Sequence, residues 1–316
     1  MIATRGSALA LAQANLMLAA CREAFPELGF ELKIIKTTGD KLQAASMNEV
    51  GKTLPKGLFT KELEVALLAG EADMAVHSLK DLPTDLPDGL KLAATPERAD
   101  VRDVLIYRAV GSALRGFAAQ TQLKDFPAGS TIATSSNRRK MQLLATHPDL
   151  NVIEIRGNVP TRLQKVASRG ELDATVLALA GLTRLNYKID ARSGKLSGDG
   201  VPESLLASIL DLNVMLPCVG QGAIGIETRA NDERIEKICE RLNHPATLQC
   251  VTAERAFLHA MGGGCLSPVA AHAVVDREKI SMRAVSFRDG PAKRSQGKAA
   301  QEQAATLGRE LAQNLK

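Results

Sequence analysis

The chain contains no tryptophan, and aromatic residues make up only 3% of its 316 positions. Proteins that hold single-stranded nucleic acid stack bases on such rings, so a nucleic-acid partner is not expected. No apolar run approaches membrane-spanning length. The start, Met1-Ile-Ala-Thr-Arg-Gly-Ser7, has neither the charged beginning nor the apolar stretch of a secretory signal, so neither a membrane nor export is expected. The five cysteines form no C-x-x-C pair and the five histidines show no ligand spacing, so no metal is expected. An odd cysteine count without an export signal places the chain in the reducing cytoplasm.

What is present begins with size and charge. A chain of this length with 45% hydrophobic residues buries more than one core, and two or three domains are expected. The net charge of +5 and a pI near 9.0 permit nucleic acid, a membrane surface or a polyanionic small molecule as partner. The position of the basic residues says more than their number. Met1 to Thr4 reads as a strand, Arg5-Gly6-Ser7 as a turn, and residues 8–24 as a helix capped by Ser7. The same grammar recurs at Met74 to His77 followed by Ser78-Leu-Lys-Asp81, at Thr131 to Thr134 followed by Ser135-Ser136-Asn-Arg138-Arg139, and at Val152 to Ile155 running into Arg156-Gly157-Asn158. Each time the polar and cationic residues fall just past a strand, where open α/β sheets bind ligands and helix N-termini offer free N–H groups to anions. Arg5, Lys80, Arg138, Arg139 and Arg156 are therefore expected to line a cleft for several carboxylates or phosphates. Arg162, Lys165 and Arg169, spaced i, i+3, i+7, share one face if Pro160 opens a helix; alone, such a face is usually just solvated.

Two glycine motifs read differently. Gly220-Gln-Gly-Ala-Ile-Gly225 satisfies G-x-G-x-x-G, but Ile224 to Glu227 reads as strand where a dinucleotide site needs a helix. Gly262-Gly-Gly-Cys265 lies between a helical and a strand-like stretch. Glycines strip side chains from around the sulfur, which reads as an attachment point, although a thiol at a tight turn is the plain alternative. Residues 97–103 look like a charged hinge, and 186–211, with several glycines and Pro202, like a loop of low regularity. Beyond Asn243-His244-Pro245 the pattern becomes a long helix, the glycine turn and alternating strands such as Ile280 to Ser286.

Ala75-Val-His-Ser-Leu-Lys-Asp81, Thr134-Ser-Ser-Asn-Arg-Arg139, Arg156-Gly-Asn-Val-Pro-Thr-Arg162, Leu216-Pro-Cys-Val-Gly-Gln-Gly-Ala-Ile-Gly-Ile226 and the Gly-Gly-Cys265 turn, in this order, resemble the porphobilinogen deaminases, also called hydroxymethylbilane synthases. The resemblance spans nearly the whole chain. It implies a transferase of tetrapyrrole and haem biosynthesis that joins four porphobilinogens head to tail, losing ammonia each time. It also implies a dipyrromethane primer held by a thioether to Cys265. The implied fold is α/β, with two doubly wound domains like those of periplasmic binding proteins and a smaller α+β domain. These are expected at 1–97 with 221–241, at 98–220, and at 242–316. Asp81 is the implied catalytic carboxylate, stabilising the cation formed on deamination and helping to move protons; on its own it reads as a turn residue ahead of Pro83. Lys80, Ser136, Arg138, Arg139, Arg156 and Gly157 would hold the cofactor, and Arg5, Ser7, Phe59, Arg162 and Arg184 the substrate. Each porphobilinogen brings an acetate and a propionate, which call for guanidinium groups more than for a metal. A monomer is implied.

The chain departs from the family pattern in the glycine-rich lid, residues 51–59, about three residues longer than usual, and in residues 186–211, also longer. Two other classes share part of this pattern. A non-catalytic anion binder of the periplasmic type would have no use for Cys265, and a nucleic-acid binder would not need a carboxylate and a cysteine around one cleft.

Overall fold

The computed structural model describes residues 1–39, 59–264 and 267–316. The chain opens with β1 (Ile2–Arg5), β2 (Leu32–Ile35), β3 (Met74–Ser78) and β4 (Leu90–Ala94). β2, β1 and β3 are parallel neighbours, and β3 is buried along nearly its whole length, as a strand covered on both faces must be. Helix Ala8–Ala24 covers one face. Ser7 caps it by accepting from the amide of Ala10 at 3.3 Å, and Ala10, Ala14, Met17 and Cys21, at helical spacing, form its buried stripe. Its last turn closes at Phe25, ahead of Pro26, which cannot continue a helix.

The second sheet takes β5 (Asp103–Arg108), β6 (Thr131–Ala133), β7 (Asn151–Ile153) and β8 (Ala174–Ala178), then β11 (Leu205–Ile209) after a two-stranded ribbon of β9 (Lys188–Ile189) and β10 (Leu196–Ser197). Its order, β11-β5-β8-β6-β7, has parallel β7, β6 and β8, then β5 antiparallel to β8 and β11 antiparallel to β5. The chain then returns as β12 (Ile224–Arg229), which lies antiparallel between β3 and β4 and completes the first sheet as β2-β1-β3-β12-β4. The two lobes thus repeat one plan: four strands run one way and one, β12 in the first sheet and β5 in the second, runs against them in the fourth place from the parallel edge. Two α/β lobes are what the resemblance implied.

The third unit stacks helices Pro245–Ala260 and Ala304–Gln313 against an antiparallel sheet of β13 (Val269–Asp276), β14 (Lys279–Ser286) and β15 (Lys293–Ala300). Phe257, Ile280, Met282, Leu307 and Leu311 fill its core. None of the described helices is long and apolar enough to cross a membrane.

Three local expectations change. The region 186–211 is not irregular throughout: past Pro202 its apolar run pairs with β5 from Leu205 to Ile209, completing that sheet's edge. The strand expected to reach Ile155 stops at Ile153, because the Ile155 carbonyl accepts from the Ser135 hydroxyl (2.6 Å) rather than joining the ladder. Of the charged hinge expected at 97–103, the last residue belongs to the sheet, since Asp103 opens β5 with 0% exposure.

The chain crosses between the lobes twice, through 95–102 and 210–223, and both crossings are tied to the third unit by one carboxylate. Glu254, fully buried on helix Pro245–Ala260, takes a bidentate bond from Arg98 (2.7 and 2.9 Å) and accepts from the amides of Gly220 (2.8 Å) and Ala273 (2.9 Å). Burial pushes the Arg98 guanidinium down, but Glu254 more than reverses this and holds it above its ordinary value. Gly222 fits because its φ is +83° and a Cβ there would stand 2.5 Å from the Ala99 carbonyl oxygen of the other crossing.

Candidate active site

The strand ends of the first lobe enclose a cavity of about 70 Å³ bordered by Arg5, Ser7, Gln13, Phe59, His77, Ser78 and Asp81, among others. Arg5 follows β1, and its guanidinium lies 4.1 Å over the Phe59 ring, a cation–π contact that holds the cation at the rim. The carboxylate arrives on the short 3-10 turn Leu79–Asp81 after β3, closed by the Leu82 amide on the Leu79 carbonyl (3.1 Å). Arg255 of the third unit fixes this turn from behind by donating to the carbonyls of Leu82 (3.1 Å) and Pro83 (2.6 Å). Asp81 is therefore presented to the cavity by elements of two domains.

Lys80 faces the other lobe electrostatically. Burial pushes its ammonium below the ordinary lysine value, Asp81, Cys218 and Asp103 oppose this, and Arg139 adds to the lowering. Beneath the cavity, His77 Nε2 and Glu227 Oε2 are 3.0 Å apart, both side chains buried.

In the second lobe, Ser136 caps helix Asn137–Thr146 by accepting from the Arg139 amide at 3.4 Å. The arginines behind it do not project freely. Asp103 Oδ2 accepts from Arg138 Nη1 at 2.8 Å, and Asp103 Oδ1 accepts from Arg139 Nη2 at 2.7 Å and Nε at 3.1 Å. Arg138 also donates to the Leu216 carbonyl and Arg139 to that of Val176, both at 2.8 Å. Burial pushes the Asp103 carboxyl up, but the two guanidinium groups more than reverse it and bring it to about 2. Gln221 donates to the same Asp103 oxygen (3.1 Å) and to the Val101 carbonyl (2.7 Å). The glycine motif that is not a dinucleotide site is thus the clamp between crossing and lobe.

Arg162 and Arg184 differ from that pair. Arg162 donates to the Gly157 carbonyl (2.8 Å) and Arg184 to the Gly222 carbonyl (2.6 Å), and among the described residues neither meets a carboxylate. Burial brings each guanidinium down to about 10, with Arg139 adding to the effect at Arg162. Gly157, with φ +114°, turns the chain into helix Val159–Ser168; a Cβ there would lie 2.7 Å from the Thr161 side chain. Arg156 is exposed, loosely paired with Glu154 at 3.8 Å. The helix starts at Val159 under an Asn158 cap, with Lys165 folded back onto the Arg156 carbonyl (2.9 Å) and Arg169 outside it as the C-cap. No three-cation face results.

Arg5, Ser7, Phe59 and Asp81 therefore share one cavity, while Lys80, Arg138, Arg139 and Arg162 are electrostatically coupled around Asp103. Arg184 reaches the crossing at Gly222, and Leu9 lies 3.9 Å from the Cβ position of Gly181, so the lobes meet beside it. Cys265 and lid residues 51–58 lie outside the described residues. Sequence reasoning missed Asp103 and Glu254. The signal for Glu254 was there: it shares a helical face with Cys250, Val251, Ala253 and Phe257, all apolar.

Two α/β lobes, one presenting a carboxylate and the other guanidinium groups that meet no carboxylate among the described residues, define an anion-handling protein built on paired lobes rather than a dinucleotide enzyme. Comparison with known families narrows this. The family model described as porphobilinogen deaminase, dipyromethane cofactor binding domain, matches residues 1–237, and that of the porphobilinogen deaminase C-terminal domain matches 248–316. The porphobilinogen deaminase of Thermus thermophilus is 44% identical over 277 residues, covering 88% of this chain and 81% of that protein. That of Syntrophomonas wolfei is 40% identical over 316 residues, covering 99% and 94%. Among solved structures, the VFT2 domain of Bordetella pertussis BvgS is similar at a TM-score of 0.41 and 16% identity, covering 76% of this chain and 84% of that one. The chain belongs to the porphobilinogen deaminase family.

Proposed function

We propose that this chain is a hydroxymethylbilane synthase: it joins four porphobilinogen molecules head to tail on a covalently held dipyrromethane primer, releases ammonia at each coupling, and delivers a linear tetrapyrrole. The observation that carries this reading is Asp81 at a small cavity, together with Arg162 and Arg184, partly buried guanidinium groups that meet no carboxylate among the described residues. Burying an uncompensated cation is costly, so these two are poised for a carboxylated ligand. A dipyrromethane carries four carboxylates, and the basic residues fit that demand; Arg138 even keeps a buried Nε with no partner. When bound, the primer supplies the nucleophilic pyrrole carbon to which each new ring is joined.

The chain's own residues divide the remaining work. Arg162, Arg156, the Gly157 turn and Ser136, with Lys80 on the other lobe, hold carboxylates of the primer. Arg138 and Arg139, already engaged by Asp103, contribute field and shape more than free donors. Arg5, Ser7, Phe59 and Arg184 orient the incoming ring. Asp81 stabilises the positive charge that develops as the aminomethyl C–N bond breaks. Cys265 anchors the primer as a thioether. The domain limits fall at 1–97 with 221–241, at 98–220 and at 242–316, and the enzyme works as a cytoplasmic monomer with porphobilinogen as its only small-molecule partner.

Intact mass of the purified protein tests this reading. A mass increment equal to one dipyrromethane, lost in Cys265→Ser, is expected together with consumption of porphobilinogen by the parent. An adduct on Cys21, Cys218, Cys239 or Cys250, or no adduct and no turnover, would sink the assignment.

A further inference from the structure

Beneath the cavity that holds Asp81 lies a group the proposed chemistry has not yet used. His77 borders that cavity, and its Nε2 sits 3.0 Å from Oε2 of Glu227, a carboxylate with 0% exposure on the neighbouring strand β12. The other ring nitrogen, Nδ1, has no hydrogen-bond partner among the described residues, and Glu227 Oε1 is buried without one. An ionised Glu227 can only accept, which sets the imidazole proton on Nε2 and leaves the Nδ1 lone pair open. That is the arrangement by which a carboxylate makes a histidine a base and then stabilises the imidazolium it becomes.

Resting on the synthase reading, we propose that His77, oriented by Glu227, holds the proton that each coupling moves from ring carbon to leaving ammonia. Each coupling breaks the aminomethyl C–N bond, releasing ammonia, and forms a C–C bond from that methylene to the α-carbon of the growing chain. The α-carbon then loses its proton. His77 Nδ1 accepts it, Glu227 balances the charge, and the proton passes to ammonia, which leaves as ammonium; His77 ends as it began. Asp81, at the same cavity, stays ionised opposite the developing cation and need not move a proton. The charged and titratable groups around the pair are Glu64 on helix Lys61–Leu68, Asp81 on its turn and Arg5 at the cavity rim. Burial raises the Glu64 carboxyl, with the nearby Glu227 charge adding to this while Thr60 and His77 oppose it.

The test uses holoenzyme, with dipyrromethane loading checked by intact mass and folding by melting temperature. His77→Gln is expected to lower kcat about 100-fold with KM within threefold, the scale for losing a positioned acid–base group. It should also expose an isotope effect on kcat with porphobilinogen deuterated at the free α-carbon, absent in the parent, because deprotonation becomes rate-limiting. Glu227→Gln keeps the shape but not the charge; it should cost about tenfold in kcat and shift the pH dependence of kcat. Should His77→Gln fail to load or melt cooperatively, the isotope effect in Glu227→Gln decides. A kcat within twofold of the parent, a loss confined to KM, or no α-deuterium effect in the folded variants would overturn the inference. A parent that makes no tetrapyrrole would instead overturn the synthase reading.

Discussion

The two five-stranded lobes follow one strand plan and cap the helix after the first parallel strand of each with a serine, Ser7 in one and Ser136 in the other. Beyond the cap they part. Helix Ala8–Ala24 begins Ala-Leu-Ala-Leu, offering no charge in its first turn, and the charges of that lobe sit on the neighbouring strand ends at Arg5, Lys80 and Asp81. Helix Asn137–Thr146 carries Arg138 and Arg139 in its first turn, and both are turned inward to share the single carboxylate of Asp103. One scaffold therefore supplies a reacting carboxylate beside a cavity, and the other a rigid cationic wall. The difference teaches that a cation near a helix end is left for a ligand only where the protein brings no acid to it; among the described residues Arg162, in the first turns of its helix, and Arg184, at the end of its own, meet no carboxylate, whereas Arg138 and Arg139 do.

The sharpest way to break the comparison is Asp103→Asn. Removing the shared acid leaves two buried guanidinium groups uncompensated and should cost about 3–5 kcal/mol of stability, read by denaturant unfolding. A loss below about 1 kcal/mol would mean the wall is not held by this carboxylate.

In the other lobe the same kind of change should act on rate. Asp81→Ala should cost at least ~3 kcal/mol of transition-state stabilisation in kcat/KM while the denaturation midpoint hardly moves. Turnover within tenfold of the parent would reduce Asp81 to a turn residue.

A smaller effect separates the free arginines from the engaged ones. Because burial depresses Arg162 and Arg184 to about 10, their charged forms weigh against folding at neutral pH, and a bound polycarboxylate should relieve this. The cofactor-free protein, obtained as Cys265→Ser, should melt several degrees lower, corresponding to about 2 kcal/mol. In Arg162→Ala or Arg184→Ala backgrounds that gap should narrow, and shorter enzyme-bound intermediates should accumulate under limiting porphobilinogen. Equal melting with and without cofactor would detach these residues from it.

The least effect is on acid stability. Asp103 has its folded-state value lowered to about 2, so its contribution is complete above its unfolded value near 4 and is lost as the pH falls toward 2. Roughly 2 kcal/mol should disappear across that window, and Asp103→Asn should remove this step from the stability–pH curve. An unchanged curve would assign the acid transition to other carboxyls.

The strand-then-cation grammar, the Ser7 cap, the strand at Ile224 and the long helix after Pro245 were all readable along the chain, because alternation, capping and proline entry are local rules acting over a few residues. The motif order that places the chain in its family was readable for the same reason. Tertiary structure alone decided which cations stay free for a ligand: Asp103 meets Arg138 and Arg139 from 35 and 36 residues away. It also decided that Glu254 joins both crossings to the third unit, and that Glu227 meets His77 across 150 residues. Burial and pairing set the charge a side chain can offer, and both depend on partners that strand order, not sequence distance, brings within 3 Å or so.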